Sequence, residues 1–233
     1  MAGEIIKAPA VVLFIRPWSR TSHVVTWLAR GYGVVSTLVK GAVRPKSAFL
    51  GQYDLFYGCE LLWYARARGE LHAIREAMPY KLREGIRGRW RETSLAAYAC
   101  ELVRKLAPAG EESVEWYDWL SSVLDGLAQG GEADLKALVS IEMRLLELAG
   151  LAPDFSGVDM DISYTPFSLD AGKAGGGLRN VRLTPDVVRA LRGESTVSAD
   201  VLWDAVRFLG LFLAFHLDEP PEVRRGLVSL LKH

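Results

Sequence analysis

The stretch from Gly31 to Tyr57, GYGVVSTLVKGAVRPKSAFLGQYDLFY, decides the fold of this chain. It opens with Gly-Tyr-Gly, a sequence typical of a hairpin turn, and continues with the apolar, β-branched run Val34–Val39. From Tyr53 the chain becomes apolar and aromatic again. The pattern therefore predicts a strand, an irregular connection and a second strand.

The connection between these two predicted strands is basic. Its glycines and its proline disfavour regular structure, and it carries Lys40, Arg44 and Lys46. Cations bind phosphates and aromatic rings stack on bases, so a cationic loop between aromatic strands suits a nucleic acid. A solvated turn between two core strands is the alternative interpretation.

Working outward, the first 80 residues contain five strand-like segments. They are Ala10–Arg16, which Pro17 should end, then Ser22–Arg30, Val34–Lys40, Tyr53–Ala65 and Glu70–Ala77. Five short strands with the longest gap after the third predict a small closed barrel of the OB type. Such a barrel leaves one strand face and its loops open for an oligonucleotide.

The composition changes near Met78, and the remainder is mainly helical. We expect an OB-fold domain over residues 1–78 and a helical domain over residues 79–233, hence an α+β fold. Residues 80–91 are interpreted as a basic connector, and residues 151–182 as an irregular Gly/Asp-rich insertion.

Capping residues mark the expected helix boundaries. Thr93 is the predicted N-cap of the first helix, Gly150 follows the end of the third, and Thr184-Pro185 opens a later one. The helix over Ser198–Leu217 is apolar on nearly every face and is predicted to be the buried centre of its domain. A last amphipathic helix follows Pro221.

The two halves of the chain carry opposite charge although the whole chain is neutral. Residues 1–92 hold 15 basic and 7 acidic residues, a net charge of +8, and the remainder carries −8. This asymmetry indicates a polyanion-binding module joined to a module with other duties.

Cysteine usage and hydropathy predict a soluble, cytoplasmic protein. Cys59 and Cys100 have no metal-ligand spacing and are interpreted as buried thiols. No signal-peptide pattern opens the sequence, and the apolar segment Val201–Leu217 contains charges and is short for a membrane span.

No catalytic motif appears, and we therefore expect no enzyme and no cofactor. The only tight acidic cluster, Asp154, Asp159 and Asp161, fits no calcium loop; a divalent cation site and a solvated turn are the two interpretations. Aromatic residues that could stack on bases are Trp18, Trp27, Phe56, Tyr57 and Trp63, although alternation assigns some of them to the core.

The N-terminal third resembles the bacterial recombination mediator family RecO. The similar segments there are AVVLFIRPWSRTSHVVTWLAR and GYGVVSTLVKGAVRPKSAFLGQYDLF, an apolar strand, a turn and a strand before a Lys-Gly-Ala basic loop. Weaker echoes follow in SLAAYACELVRKLA, IEMRLLELAGLAPDF and FLAFHLDEPPEVRRGLVSLL. Many RecO proteins carry a four-cysteine zinc module after the Gly-x-x-Pro point, but residues 154–178 contain neither Cys nor His. We therefore expect no zinc.

The resemblance implies binding of single- and double-stranded DNA, annealing of complementary strands, and loading of RecA with RecR onto DNA coated by single-stranded-DNA-binding protein (SSB). The residues expected to bind DNA are Lys40, Arg44, Lys46, Arg16, Arg20, Arg66, Arg68, Lys81 and Arg87. Arg104, Lys105 and Arg144 are expected to bind the acidic C-terminal tail of SSB. An RNA-binding OB module, with aromatics on the open barrel face, and a metal-dependent phosphoesterase using the three aspartates are the competing interpretations.

Overall fold

The structure is a computed structural model that describes residues 4–65, 71–110, 113–194, 197–217 and 223–232. The chain divides into two compact units, Met1–Gly131 and Glu132–His233. The predicted boundary at residue 78 stays a prediction about domains, but the first compact unit contains two helices as well as the barrel.

The first unit is built on a closed five-stranded barrel with the strand order β1-β2-β3-β5-β4. Neighbouring strands are antiparallel except for a short parallel pairing of β3 with β5, from Ser36–Leu71 to Leu38–Ala73. The predicted OB-type barrel and the α+β class are confirmed. The strands are β1 (Ile5–Ser19), β2 (Ser22–Ala29), β3 (Gly33–Val39), β4 (Gly58–Tyr64) and β5 (Leu71–Lys81).

Alternate residues of each strand point into the barrel and form its core. Trp27 and Trp63 are completely buried there, and Trp27 Nε1 donates to Thr37 Oγ1 at 2.9 Å. That bond satisfies the indole and a hydroxyl that would otherwise lie unpaired in an apolar interior. Alternation in the sequence separates the two faces of each strand, and the structure decides which of them points inward.

Several strand boundaries were predicted wrongly. β1 begins at Ile5 rather than Ala10, and β5 continues past Ala77 to Lys81. β1 continues through Pro17 to Ser19, because Pro17 lies beside a register shift at the end of the ladder, where a proline is tolerated. β4 begins only at Gly58, because Tyr57 N donates to Asp54 O in a turn and Phe56 has a positive φ of 70°.

Helices cover part of the outer barrel surface. They are α1 (Trp90–Leu106) and α2 (Ser113–Ala128), which pack against β1 and β2. Val24 and Leu28, on the outward side of β2, are therefore buried, so this strand face is closed rather than open. Thr93 is not the N-cap: α1 begins three residues earlier, and the Thr93 hydroxyl donates to Ile86 O at 2.8 Å.

The second unit combines four helices with a small sheet within its described residues. Thr184 and Ser198 are N-caps, as predicted for Thr184. The interpretation of residues 151–182 as irregular was wrong in part, because three short antiparallel strands lie across and just beyond it. The elements are α3 (Leu135–Leu148), β6 (Thr165–Ser168), β7 (Lys173–Ala174), β8 (Asn180–Leu183), α4 (Pro185–Leu191), α5 (Ala199–His216) and α6 (Val223–Leu231).

α5 is buried on one face only, through side chains such as Phe208 and Phe212, whereas Leu211 is 52% exposed. The expectation of an entirely buried helix was therefore too strong. Arg224 on α6 reaches across to the fully buried Glu142 on α3, with its Nε 2.6 Å from Oε1, and fixes α6 to the unit. Among the described helices, none is both long and apolar enough to cross a membrane.

Candidate nucleic-acid interface

The β1–β2 turn and the start of the β3–β4 connection lie side by side. Val43 N donates to Thr21 O at 3.4 Å, and Gly41 N donates to Ser22 Oγ at 3.3 Å. Further turns follow in the connection, closed by Arg44 N to Gly41 O at 3.1 Å. These bonds hold backbone segments that are distant in sequence on one face of the barrel.

The side chains carried by this face are cationic and aromatic. We call it the basic barrel surface, defined by Arg16, Trp18, Arg20, Lys40, Arg44 and Lys46, all of which are exposed. None of its cations forms an ion pair with a carboxylate of the described residues. The positive charge is therefore available to a partner.

Two neighbouring cavities shape the surface. One, of about 380 Å³, is lined by Trp18, Lys40 and Arg44, and the other, of about 200 Å³, by Lys40, Phe49 and His72. Because both share Leu38 and Lys40, they lie next to each other along the end of β3, and together we call them the groove. A groove with cations and ring edges suits a chain of phosphates and bases.

Trp18 is the candidate aromatic that remains available for stacking. It is 54% exposed, and the Arg16 guanidinium lies 5.6 Å from its ring centroid. The other four candidates, Trp27, Phe56, Tyr57 and Trp63, are buried. Of these five candidates, Trp18 alone is therefore placed to stack on a base.

Lys81 and Arg87 lie in other environments, each paired with a carboxylate. Lys81 binds Asp125, and Arg87 binds Asp54 while its guanidinium lies 5.2 Å from the Tyr57 ring centroid. Burial raises the pKa of Asp125, but hydrogen bonds from its cationic partners outweigh this, and the net pKa is lowered. Arg66 and Arg68 fall outside the described residues, and all four assignments to DNA stay predictions.

The three cations expected to bind a partner tail are divided between the two units. Arg104 and Lys105 lie in the last turn of α1 in the first unit, with the Arg104 guanidinium 5.4 Å from the Phe14 ring centroid. Arg144 belongs to α3 in the second unit and pairs with Glu147 at 3.0 Å. Their role in tail binding stays a prediction.

The aspartate cluster makes local turns. Asp154 Oδ1 accepts from Ser156 N at 2.8 Å, and Asp159 Oδ1 accepts from Asp161 N at 2.9 Å. Across the described ranges, no three His, Cys, Asp or Glu side chains gather as a metal-holding group. Burial raises the pKa of the Cys59 and Cys100 thiols to about 12, which disfavours the thiolate that binds metals. The expectation of no zinc stays a prediction for metal analysis.

The fold and the basic barrel surface together indicate the class of protein to which this chain belongs. The first unit is a five-stranded OB-type barrel, and such barrels bind oligonucleotides and oligosaccharides through their loops. The exposed cations on the turns favour an oligonucleotide over an oligosaccharide, because only the oligonucleotide is a polyanion.

Comparison with known proteins agrees with this class. The family described as "Recombination protein O N terminal" matches residues 1–83, and "Recombination protein O C terminal" matches residues 87–157. The chain belongs to the recombination protein O (RecO) family of DNA repair proteins.

Individual relatives carry the name "DNA repair protein RecO". The relative from Syntrophotalea carbinolica is 28% identical over 64% of this chain and 58% of its own length. That from Cyanothece sp. is 31% identical over 63% of this chain and 50% of its own. That from Alkalilimnicola ehrlichii is 27% identical over 99% and 94%. The first two alignments thus span about half of each relative.

Trp90 is an aromatic residue that the sequence pattern does not single out, although its side chain is 80% exposed. It lies within the basic connector of residues 80–91, among several arginines. The signal that could have found it is the local sequence Arg89-Trp90-Arg91.

Proposed function

We propose that this protein is a DNA-binding recombination mediator that binds single- and double-stranded DNA and anneals complementary strands. Together with RecR it helps to load RecA onto DNA coated by SSB, in the cytoplasm. Membership of the RecO family supports the assignment to DNA repair. The observation that carries the DNA-binding step is the basic barrel surface, whose exposed cations have no carboxylate partner among the described residues.

Annealing requires neutralisation of the negative charge on the DNA strands and no covalent step. Two DNA strands repel each other, and cations bound along one strand release its counterions and lower that repulsion. Base pairing then supplies the sequence recognition. No bond is made or broken, so the proposed mechanism uses no catalytic residue and no cofactor.

The partner interactions are part of the same proposal. Arg104 and Lys105 in the first unit, and Arg144 in the second, are each proposed to pair with carboxylates of the acidic SSB tail. RecR is proposed from the family alone.

Annealing of complementary oligonucleotides without added metal tests the proposal. The wild type should accelerate annealing, and a loop variant, Lys40→Ala/Arg44→Ala/Lys46→Ala, should be slower in proportion to its loss of DNA affinity. A second-unit control, Lys136→Ala/Arg189→Ala/Arg192→Ala, removes three exposed cations elsewhere and should match the wild type.

Parallel arms address the competing functions. The same titration with RNA asks whether the surface prefers RNA, and incubation with magnesium asks whether the strands are cleaved. No acceleration by the folded wild type, or cleavage in magnesium, would contradict the proposal.

A further inference from the structure

Trp90, the first residue of α1, presents its side chain to solvent. It is 80% exposed, in contrast to the completely buried Trp27 and Trp63. A single exposed aromatic is ordinary, but Trp90 lines a cavity of about 340 Å³ together with Leu55 and Phe56. An open ring beside an apolar cavity can accept a flat ligand.

The charges around Trp90 favour an anionic ligand. Arg87 and Arg89 line the same cavity, and each is paired with one carboxylate, Asp54 or Glu92. Arg91 is exposed and forms no ion pair with a described residue. The N-terminus of α1 adds the positive end of the helix dipole, and no side chain of its N-cap residue accepts a hydrogen bond from the first-turn N–H groups.

The cavity is also continuous in sequence with the basic barrel surface. Residues 54–56, which line it, end the same β3–β4 connection that begins with Lys40 and carries Arg44 and Lys46. A bound strand could therefore follow one connection from phosphate-binding cations to an exposed ring.

We propose that Trp90 is a stacking platform for an unpaired base of single-stranded DNA, with Arg91 binding a neighbouring phosphate. The inference rests on the proposed DNA binding and adds a preference to it. Duplex bases are already stacked on each other, so Trp90 acts on single strands. An indole accepts any base, which gives affinity without sequence preference.

Equilibrium binding of the full chain to matched single- and double-stranded oligonucleotides tests this inference. Trp90→Ala should weaken single-strand binding by about 5-fold to 100-fold, the range for loss of one stacked base. Duplex binding should stay at the wild-type level. Trp90→Phe should restore most of the affinity, because it keeps a ring.

The same assay separates the contribution of phosphate binding from the contribution of base stacking. Trp90→Ala removes no charge and should leave the salt slope unchanged, whereas Arg91→Ala should flatten the single-strand slope by about 0.7. The wild type should bind a single strand with abasic sites more weakly than the intact strand. Its affinity for the abasic strand should approach that of Trp90→Ala for the intact strand. Tyr164→Ala, which removes an exposed ring in the second unit, should behave as wild type.

Three results would overturn the inference. The first is unchanged single-strand affinity for folded Trp90→Ala while the loop variant loses affinity, which rejects this site but keeps the proposed function. The second is an equal loss on both DNA forms. The third is an unchanged oligonucleotide affinity with lost binding of an acidic, apolar-ended peptide, which would make the surface a peptide dock. If the wild type binds no DNA, the proposed function itself fails.

Discussion

Arg83 holds the barrel and α2 together through a single buried guanidinium. It donates to Phe56 O at 2.6 Å, to Ser121 Oγ at 2.7 Å and to Asp125 Oδ1 at 2.8 Å, although its φ of 51° is unfavourable for a non-glycine residue. The bonds compensate for the backbone strain. This residue therefore fixes the end of the β3–β4 connection relative to the helices of the first unit.

Replacement of Arg83 by Ala should destabilise the first unit by about 2–4 kcal/mol, because Phe56 O and Ser121 Oγ lose their buried donor while Asp125 keeps its pair with Lys81. Urea unfolding followed by fluorescence measures the loss. Lys7→Ala removes an exposed pair with Glu60 in the same barrel and should change the free energy of unfolding by less than about 1 kcal/mol. Equal effects of the two substitutions would contradict this account of Arg83.

Asp170 stabilises the small sheet of the second unit as a carboxylate. Its Oδ1 accepts from Ser168 Oγ at 2.8 Å and from Arg179 N at 3.1 Å, and these hydrogen bonds lower its pKa to about 2. Since the folded-state pKa lies below the ordinary value of 3.8, the carboxylate adds stability at neutral pH. The contribution is lost as pH falls from about 3.8 through 2.

Asp170→Ala should therefore melt at a lower temperature than the wild type at pH 7, and the difference should narrow only below about pH 4. Thermal unfolding at several pH values measures it. Asp161→Ala, which removes an exposed carboxylate from the same region, should leave the melting temperature near that of the wild type. A difference in melting temperature that stays unchanged down to pH 2 would exclude the Asp170 carboxylate as its cause.

At the scale of elements, periodicity predicted what depends on local sequence. The barrel strands and the cap at Thr184 follow from alternation and side-chain chemistry. The strands β6 to β8 were missed because they are two to four residues long, too short for a periodic pattern.

The groove could be predicted only in part. Sequence located Lys40, Arg44 and Lys46, but the proximity of the β1–β2 turn depends on tertiary hydrogen bonds. The burial of Val24 and Leu28 depends on helices more than 60 residues later in the sequence, so no local sequence pattern predicts it.

The β2–β3 turn packs closely against the α1–α2 connection, and Gly33 makes this close approach possible. Gly33 N donates to Ser113 Oγ at 2.9 Å, and a Cβ at this position would collide with Pro108 O and lie 2.8 Å from Ala109 Cα. Both neighbours are backbone atoms that cannot rotate away. The turn and the α1–α2 connection must therefore separate if residue 33 gains a side chain.

Gly33→Ala and Gly51→Ala form a matched pair. Both glycines have positive φ, +81° and +73°, so each substitution costs about 1–2 kcal/mol of backbone strain. Gly51 has open space around it, and only Gly33→Ala should add the cost of the collision. The two midpoints of urea unfolding measure the difference, and equal midpoints would contradict the proposed contact.

At the scale of the whole molecule, the compact units predict where the chain can be divided. A chain ending at Gly131 keeps α1, α2 and the Arg83 bonds, and it should fold and bind oligonucleotides. A chain ending at residue 80 loses the cover of β2 and should be unfolded. Circular dichroism and a binding titration on both truncated chains decide this, and a stable barrel without its helices would refute it.

The salt dependence of DNA affinity tests the central claim, that the basic barrel surface binds the DNA backbone, most directly. The slope of log affinity against log salt should flatten by about 0.7 to 0.9 per lost phosphate contact, hence by about 2 to 3 in the loop variant. The second-unit control should keep the wild-type slope. A folded loop variant with the wild-type slope on both single- and double-stranded DNA would contradict the claim.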